Sequence, residues 1–115
     1  MGQIEERYER GLVLKTAGRY EQAEAEFKAI LDIDNQHAEA HRQLGLVYGF
    51  IGLFDESVRE LTLAIRLDET NLHARNDLAL TYSMLGMCEE AKAEFQTVLS
   101  ADPENEVAKK NIVYF

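Results

Sequence analysis

The sequence contains no tryptophan, one cysteine and one proline. A lone cysteine, Cys88, cannot form a disulfide within the chain, which fits a reducing compartment such as the cytoplasm. Because Pro103 stands alone and no stretch is rich in proline, glycine or serine, we expect neither a linker nor a disordered tail. No run of about 18 apolar residues occurs, so no transmembrane helix is predicted. No basic segment followed by an apolar one opens the chain, so no signal peptide is predicted either.

Basic residues are also scarce. The 12 Lys and Arg residues are outnumbered by 21 Asp and Glu residues, and the formal net charge is −9. Nucleic acids and anionic membranes bind clustered cations, so this balance argues against both as partners. The acidic excess is spread along the chain, as is typical of a solvated surface. A general electrostatic preference for basic partners is the alternative interpretation.

Three glycines recur at a fixed interval of 34 residues: Gly18, Gly52 and Gly86. The six residues that begin at each glycine are alike, with an acidic residue fourth and Ala or Ser sixth. A period of this length predicts a solenoid, in which each repeat stacks on its neighbours. We therefore expect one domain, 1–115. Its predicted parts are repeats at about 4–37, 38–71 and 72–105, followed by a capping or truncated helix at 106–115.

Each repeat predicts two helices. The first segment is rich in helix-forming residues and stops at the glycine, which ends a helix by adopting a left-handed conformation. The second segment has apolar residues at helical spacing, as at Ala23, Phe27 and Ile30. Because the connections are short, consecutive helices are expected to be antiparallel neighbours. The predicted helices are 4–17, 20–33, 38–51, 54–67, 72–85 and 88–101.

A seventh helix is predicted after Pro103, from about Glu106 to Tyr114. It would cover the open apolar face of the last repeat or begin a further repeat. The residues expected to face inward are Ala108, Ile112 and Phe115. A helix this short cannot turn all of the final Ile-Val-Tyr-Phe side chains inward, so we expect at least one of them to be exposed.

The repeats resemble the tetratricopeptide repeat, whose first helix carries a large residue, then Leu-Gly, then Tyr. The matching residues are His41, Leu44, Gly45 and Tyr48 in the second repeat, and Arg75, Leu78, Ala79 and Tyr82 in the third. The first repeat matches more loosely, with Arg7, Arg10, Gly11 and Leu14. The resemblance implies an all-α, right-handed superhelical solenoid of antiparallel helix pairs, with about seven helices.

The second helix of the family pattern carries a small residue, a large one four positions on, and another small one. The matching residues are Ala23, Phe27 and Ile30, then Ser57, Leu61 and Ala64, then Ala91, Phe95 and Val98. Small side chains let two helices approach closely, while large ones fill the space around them. We therefore expect Gly11, Gly45, Ala23 and Ala91 to be buried where the helices of a repeat cross.

The sequence contains no convincing catalytic or metal-binding motif. His37 and His41 could share a helix face with Glu39, but no third ligand is near and the metalloprotease order is absent. His41 is expected to face the core and His37 to lie in a turn. Cys88 occupies the position of Tyr20 and Phe54, so we expect it to be a small buried hydrophobe. We predict no enzyme activity, no metal and no cofactor.

By the same resemblance, the first helices line a concave groove that binds a peptide. The predicted groove residues are Tyr8, Leu12, Arg42, Gln43, Leu46, Phe50, His73, Asn76, Leu80 and Met84. Leu12, Leu46 and Leu80 recur once per repeat and would form an apolar line along the groove. The alternative is that these side chains simply pack between neighbouring first helices.

Some members of the family clamp the acidic C-terminus of chaperones with Lys, Asn and Arg side chains. The matching positions here hold Tyr8, Leu12, Gln43, His73 and Asp77, none of which is Lys or Arg. A chaperone carboxylate clamp is therefore not expected. The sequence predicts a protein-interaction scaffold that binds an extended or helical peptide segment. The alternative is a structural module that self-assembles through its apolar C-terminal end, in which case weak homodimers are expected.

Overall fold

The computed structural model describes residues 2–115, and this part of the chain forms seven helices and no strand. The helices are α1 (Gln3–Thr16), α2 (Tyr20–Ile33), α3 (Ala38–Phe50), α4 (Phe54–Leu67), α5 (Leu72–Met84), α6 (Cys88–Ala101) and α7 (Glu106–Ile112). Each helix packs mainly on the one before and the one after it. The result is an elongated stack of helix pairs, 43 × 26 × 21 Å, as the 34-residue period predicts.

The repeated glycines end the first helix of each repeat. Gly18, Gly52 and Gly86 have φ of +77°, +84° and +76°, the left-handed region that only glycine adopts without strain. At the first of them the chain reverses when Arg19 N donates to the carbonyl oxygen of Leu14 at 2.8 Å. The sequence prediction of a glycine stop is confirmed at all three positions.

Polar side chains begin the helices that follow each second helix. His37 Nδ1 accepts from Ala40 N at 3.0 Å at the start of α3. Asn71 and Asn105 cap α5 and α7 in the same way, through side-chain oxygens 3.1 Å from the nitrogens of residues 74 and 108. Each cap satisfies a backbone N–H that the helix itself leaves unpaired. His37 therefore lies in the turn, as predicted, and has a structural role there.

Close helix crossings hold each pair together. Gly11 and Gly45 are buried, and so are Ala23 and Ala91 in the opposite helices. A Cβ atom at Gly45 would lie only 2.8 Å from Leu61 Cγ, closer than carbon atoms normally pack. The predicted burial of small residues at the crossings is confirmed.

The last helix covers the final repeat as predicted. Ala108 is fully buried in a cluster with Phe95 and Val98, and Ile112 and Phe115 pack against that cluster. The helix ends at Ile112 rather than Tyr114, because the last residues tighten into a turn in which Tyr114 N and Phe115 N bond to carbonyls three residues back. Val113 and Tyr114 are 74% and 80% exposed, which confirms that the apolar end cannot be wholly buried.

Cys88 is exposed, so the prediction of a buried hydrophobe is wrong. Tyr20, at the same repeat position, is half-buried because its ring stacks on Phe50 of the next repeat, with centroids 5.5 Å apart. Phe54 likewise lines a pocket with Met84. Thirty positions separate the members of both pairs, so the side chain that covers this position belongs to the first helix of the next repeat.

Candidate functional site

The first helices α1, α3 and α5 lie side by side and present one common face, here called the groove face. All ten predicted groove residues lie on these three helices. Phe50, His73, Leu80 and Met84 are exposed, and Tyr8, Leu12, Arg42 and Leu46 are half-buried. The remaining two, Gln43 and Asn76, are only 5% and 4% exposed. The face therefore combines accessible apolar side chains with polar side chains that lie beneath its surface.

An apolar pocket of about 230 Å³ opens between α3 and α5. Phe50 and Met84, which are 58% and 68% exposed, stand at its edge. Leu46 and Leu80 also line it, together with Phe54 from the start of α4, and Ser57, Thr81 and Asp77 add polar atoms. Four of the predicted groove residues thus meet in one cavity: Leu46, Phe50, Leu80 and Met84.

The predicted line of leucines is uneven in depth. Leu12 packs against the first core cluster together with Tyr8, whereas Leu80 lines the open pocket. The two alternatives of the sequence analysis thus describe different parts of the face. Packing between helices accounts for Leu12, and accessible groove surface accounts for Leu80.

A set of polar contacts ties the three first helices together. Between α1 and α3, Tyr8 Oη donates to Glu39 Oε2 at 3.2 Å and Lys15 Nζ donates to Gln43 Oε1. Between α3 and α5, Arg42 Nε donates to Asp77 Oδ2 at 2.8 Å. These bonds fix the relative positions of the repeats at the groove face.

The buried polar residues bind partners inside the protein. Gln43 Nε2 donates to Tyr8 Oη at 3.5 Å, and Asn76 Nδ2 donates to Asn105 Oδ1 at 3.1 Å. Asn76 Oδ1 is buried without a hydrogen-bond partner in the structure. The amides of Gln43 and Asn76 therefore connect neighbouring elements and offer little surface to a ligand.

Burial and pairing alter the acid–base properties of the face. Burial lowers the pKa of Lys15, and the neighbouring Arg42 charge lowers it further. Burial also raises the pKa of the Asp77 carboxyl, although Arg42 offsets part of that effect. For Arg42, burial disfavours the charge, but the carboxylates of Asp77 and Glu39 outweigh it and raise the pKa. Arg42 thus remains a cation held between two carboxylates.

The two histidines considered as metal ligands, His37 and His41, have different structural roles. His41 is buried as predicted, with Nδ1 2.7 Å from Glu60 Oε1 and Nε2 3.0 Å from the carbonyl oxygen of Asn35. Within residues 2–115, no group of three or more His, Cys, Asp or Glu side chains is arranged to hold a metal ion. No helix in this part of the chain is long and apolar enough to cross a membrane.

Five residues outside the predicted set also line the pocket: Gly49, Phe54, Ser57, Asp77 and Thr81. A sequence signal existed for Phe54, because it repeats the aromatic residue Tyr20 one period later, and the structure places Tyr20 against Phe50. Ser57 was assigned only to the helix crossing, yet Ser57 Oγ also lies 3.3 Å from Thr81 Oγ1 of the next repeat. That contact depends on stacking between repeats and has no signal within one repeat.

Solved structures share this architecture. The second TPR domain of human RPAP3, in complex with the HSP70 peptide SGPTIEEVD, is 27% identical with a TM-score of 0.91, and the match covers 97% of this chain and 93% of that one. The second TPR of Spaghetti (RPAP3), bound to the HSP90 peptide SRMEEVD, is 28% identical with a TM-score of 0.80, over 84% and 90% of the two chains. The first TPR of Spaghetti, bound to the same peptide, has a TM-score of 0.93 at 20% identity, over 97% and 89%, and shows likeness of fold alone.

Comparison with curated protein sequences finds no match. The family model described as tetratricopeptide repeat matches residues 7–37, 38–71 and 72–105, which together make up most of the chain. The fold expected from the sequence, a right-handed superhelical solenoid of antiparallel helix pairs, is confirmed by this match and by the solved structures. The chain therefore belongs to the tetratricopeptide repeat family, with three repeats followed by a C-terminal capping helix.

Proposed function

We propose that this protein is a non-enzymatic interaction scaffold that binds a peptide segment of a partner protein on the groove face. The observation that carries the proposal is the pocket between α3 and α5, where the exposed side chains of Phe50, Leu80 and Met84 gather. Contiguous exposed apolar surface with polar groups at its rim usually marks an interaction site. Structurally similar domains above 25% identity are peptide complexes, which supports the same mode of action here.

The predicted groove residues divide into two roles in this proposal. The accessible side chains contact the peptide directly: Phe50, His73, Leu80 and Met84, with Leu46 and Arg42 partly accessible. The others pack or form hydrogen bonds between neighbouring helices and so fix the relative positions of the repeats that bind the peptide: Tyr8, Leu12, Gln43 and Asn76. We also propose that residues 1–115 act as one domain, with repeats 4–37, 38–71 and 72–105 and a final segment 106–115.

The chemistry of the face argues against an acidic C-terminus as ligand. Asp77 occupies one of the family's clamp positions, and its carboxylate already pairs with Arg42. An incoming carboxylate would have to compete with Asp77 for that guanidinium and would be repelled by Asp77 itself. We propose that the protein is not a chaperone carboxylate clamp, and that its net charge excludes nucleic acid and anionic membranes as partners. The unpaired Cys88 fits action in the cytoplasm.

Self-association is the second candidate function, and the observation in its favour is the exposed pair Val113 and Tyr114. Two side chains bury little area, and ordering costs would keep such a contact weak. The peptide-bound relatives favour ligand binding as the main function.

A peptide selection tests the groove. Random 16-residue peptides displayed on phage are selected against the wild-type protein, and the affinities of synthetic winners are measured by fluorescence polarisation. Leu46→Glu places a charge in the pocket, so we expect affinity to fall at least tenfold while helicity by circular dichroism is unchanged. Val13→Glu, on the exposed side of α1, is the matched control and should bind normally.

Two outcomes would contradict the proposal. Selected peptides that bind Leu46→Glu as well as wild type do not use the pocket. If Leu46→Glu unfolds, Met84→Glu makes the same test at a side chain that is 68% exposed and contributes little to the core. Normal peptide affinity in a folded Met84→Glu variant would then reject the groove assignment.

A further inference from the structure

The cations of the groove face are already bound to partners within the protein. Lys15 Nζ donates to Gln43, and Arg42 pairs with Asp77 at 2.8 Å and with Glu39 at 3.5 Å. Burial also lowers the pKa of Lys15. Two carboxylates thus neutralise Arg42, whereas Lys15 keeps a charge that no carboxylate pairs with directly within the described residues.

Two acidic side chains of the same face have no cationic partner within residues 2–115. Glu5 and Glu9 project from α1, are exposed, and form no ion pair with any residue the structure describes. They line a second cavity of about 260 Å³ together with Glu39, Tyr8, Ile4 and the His37 ring, whose Nδ1 accepts from Ala40 N. This cavity presents carboxylates beside an aromatic ring, a combination that favours a cationic side chain.

Acidic side chains that do not line the apolar pocket also begin the second helices. Asp55 and Glu56 begin α4 beside Phe54, and Glu89 and Glu90 begin α6. None of the four is ion-paired within residues 2–115. Their place in a first helical turn explains why acidic residues are favourable there, so these four do not by themselves indicate a ligand.

We propose that the ligand of the groove face is a basic amphipathic protein segment, with one large apolar side chain in the pocket and Lys or Arg beside Glu5, Glu9 and Glu39. This inference rests on the proposed function and specifies its ligand. Charge complementarity selects the occupant, because Glu5 and Glu9, which have no cationic partner within residues 2–115, line the second cavity of this face. The two cavities lie near opposite ends of α3, at Glu39 and Phe50, about 16 Å apart at 1.5 Å per residue. An extended segment crosses that distance in about five residues.

Synthetic peptides test the ligand chemistry. Three fluorescein-labelled 10-residue peptides are identical except at three positions. The first peptide has a Leu and, five residues away, a Lys-Lys pair. The second replaces the pair by Glu-Glu, and the third replaces the Leu by Ala. We expect the first to bind at least tenfold more tightly than either of the others. Its affinity should also fall as salt rises from 50 to 300 mM. Equal affinity of the Lys and Glu peptides, or no binding of any peptide, would overturn the proposal.

Charge reversal on the protein separates a site from general attraction to a negative molecule. The double variant Glu5→Lys with Glu9→Lys should bind the Lys peptide with at least tenfold lower affinity than wild type. The matched control, Glu21→Lys with Asp32→Lys, makes the same change in net charge on exposed positions of α2 and should alter affinity less than twofold. Equal losses in both double variants would show non-specific attraction only and would reject the assigned site.

The Leu46→Glu variant distinguishes failure of this inference from failure of the proposed function. If the Glu peptide binds wild type tightly and loses affinity on Leu46→Glu, the groove binds peptides but the basic ligand is wrong. If the peptides bind and none loses affinity on a folded Leu46→Glu variant, the groove function itself is wrong.

Discussion

Arg42 Nε donates to Asp77 Oδ2 at 2.8 Å and so joins α3 to α5 across the groove face. Both side chains are largely shielded, with 19% and 17% of their area exposed. Removing two charges from water is costly, and the attraction between them repays that cost only in part. This balance explains why the pKa of Asp77 is raised by burial even though a guanidinium lies beside it.

The raised pKa of Asp77 gives a pH dependence with a definite sign. The folded protein holds the proton more tightly than the unfolded chain, so Asp77 favours folding more as pH falls from 7 through its folded pKa towards the ordinary value of 3.8. The Asp77→Asn variant lacks this titration. We expect the free energy of unfolding of wild type, minus that of Asp77→Asn, to increase over that interval. Urea titrations at half-unit pH steps measure it, and a decrease towards acid would contradict the assignment.

The same carboxylate predicts weak binding of acidic peptides. A peptide that ends in Glu-Glu-Val-Asp should bind wild type no better than a peptide of scrambled order. The triple variant Gln43→Asn, His73→Lys and Asp77→Arg introduces three of the family's clamp side chains and leaves Arg42 paired with Glu39 alone, so its affinity should rise at least tenfold. Fluorescence polarisation decides the matter, with circular dichroism as the control for folding. Micromolar binding by the wild-type protein would refute the proposal that it is not a clamp.

Two glycines in α3 provide a matched test of helix packing. At Gly45 an added Cβ would lie 2.8 Å from Leu61 Cγ and 3.3 Å from the Leu61 backbone nitrogen, whereas at Gly49 the nearest atom is Ser57 Oγ at 3.5 Å. Gly45→Ala should therefore cost roughly 1–3 kcal/mol of stability through overpacking. Gly49→Ala should stabilise by about 0.5–1 kcal/mol, because it removes a flexible residue from a helix. Equal effects in thermal unfolding would mean that the crossing is not at Gly45.

Much of the fold could be predicted because the same sequence pattern occurs in all three repeats. The left-handed glycines at 18, 52 and 86 and the crossing at Gly45 depend on local chemistry that each repeat carries within itself. The exposure of Cys88 could not be predicted from its own repeat. At the same repeat position, Tyr20 and Phe54 are covered by side chains of the following repeat, Phe50 and Met84.

The groove was predicted less well, for a related reason. Arg42 and Asn76 share one repeat position, yet Arg42 is half-buried and Asn76 is only 4% exposed. Periodicity assigns a residue to a face of its helix, but its depth there depends on which partner the next element supplies. Asn105 supplies that partner for Asn76, and Asp77 supplies it for Arg42.

The exposed C-terminal side chains predict weak self-association. Val113 and Tyr114 present apolar surface next to Ile112, which packs inward. We expect sedimentation velocity to show dimers only at millimolar concentration, and the double variant Val113→Ser with Tyr114→Ser to remain monomeric there. Wild type that stays monomeric throughout would eliminate this contact. Persistence of dimers in the double variant would place the contact elsewhere.

His41 and Glu60 form a buried pair between α3 and α4, 2.7 Å apart, with 10% and 11% of their side-chain areas exposed. His41→Leu leaves the Glu60 carboxylate buried beside Arg59 at 3.7 Å alone, so it should cost about 3 kcal/mol. Because Glu60→Leu removes the same interaction, the double variant should lose less than the sum of the two single losses, by about 1–3 kcal/mol. Urea unfolding of the four proteins measures this coupling.

The exposed pair Lys109 and Glu104 is the control, where a coupling below about 1 kcal/mol is expected. Additive losses at His41 and Glu60 would show that the two side chains stabilise the repeat independently.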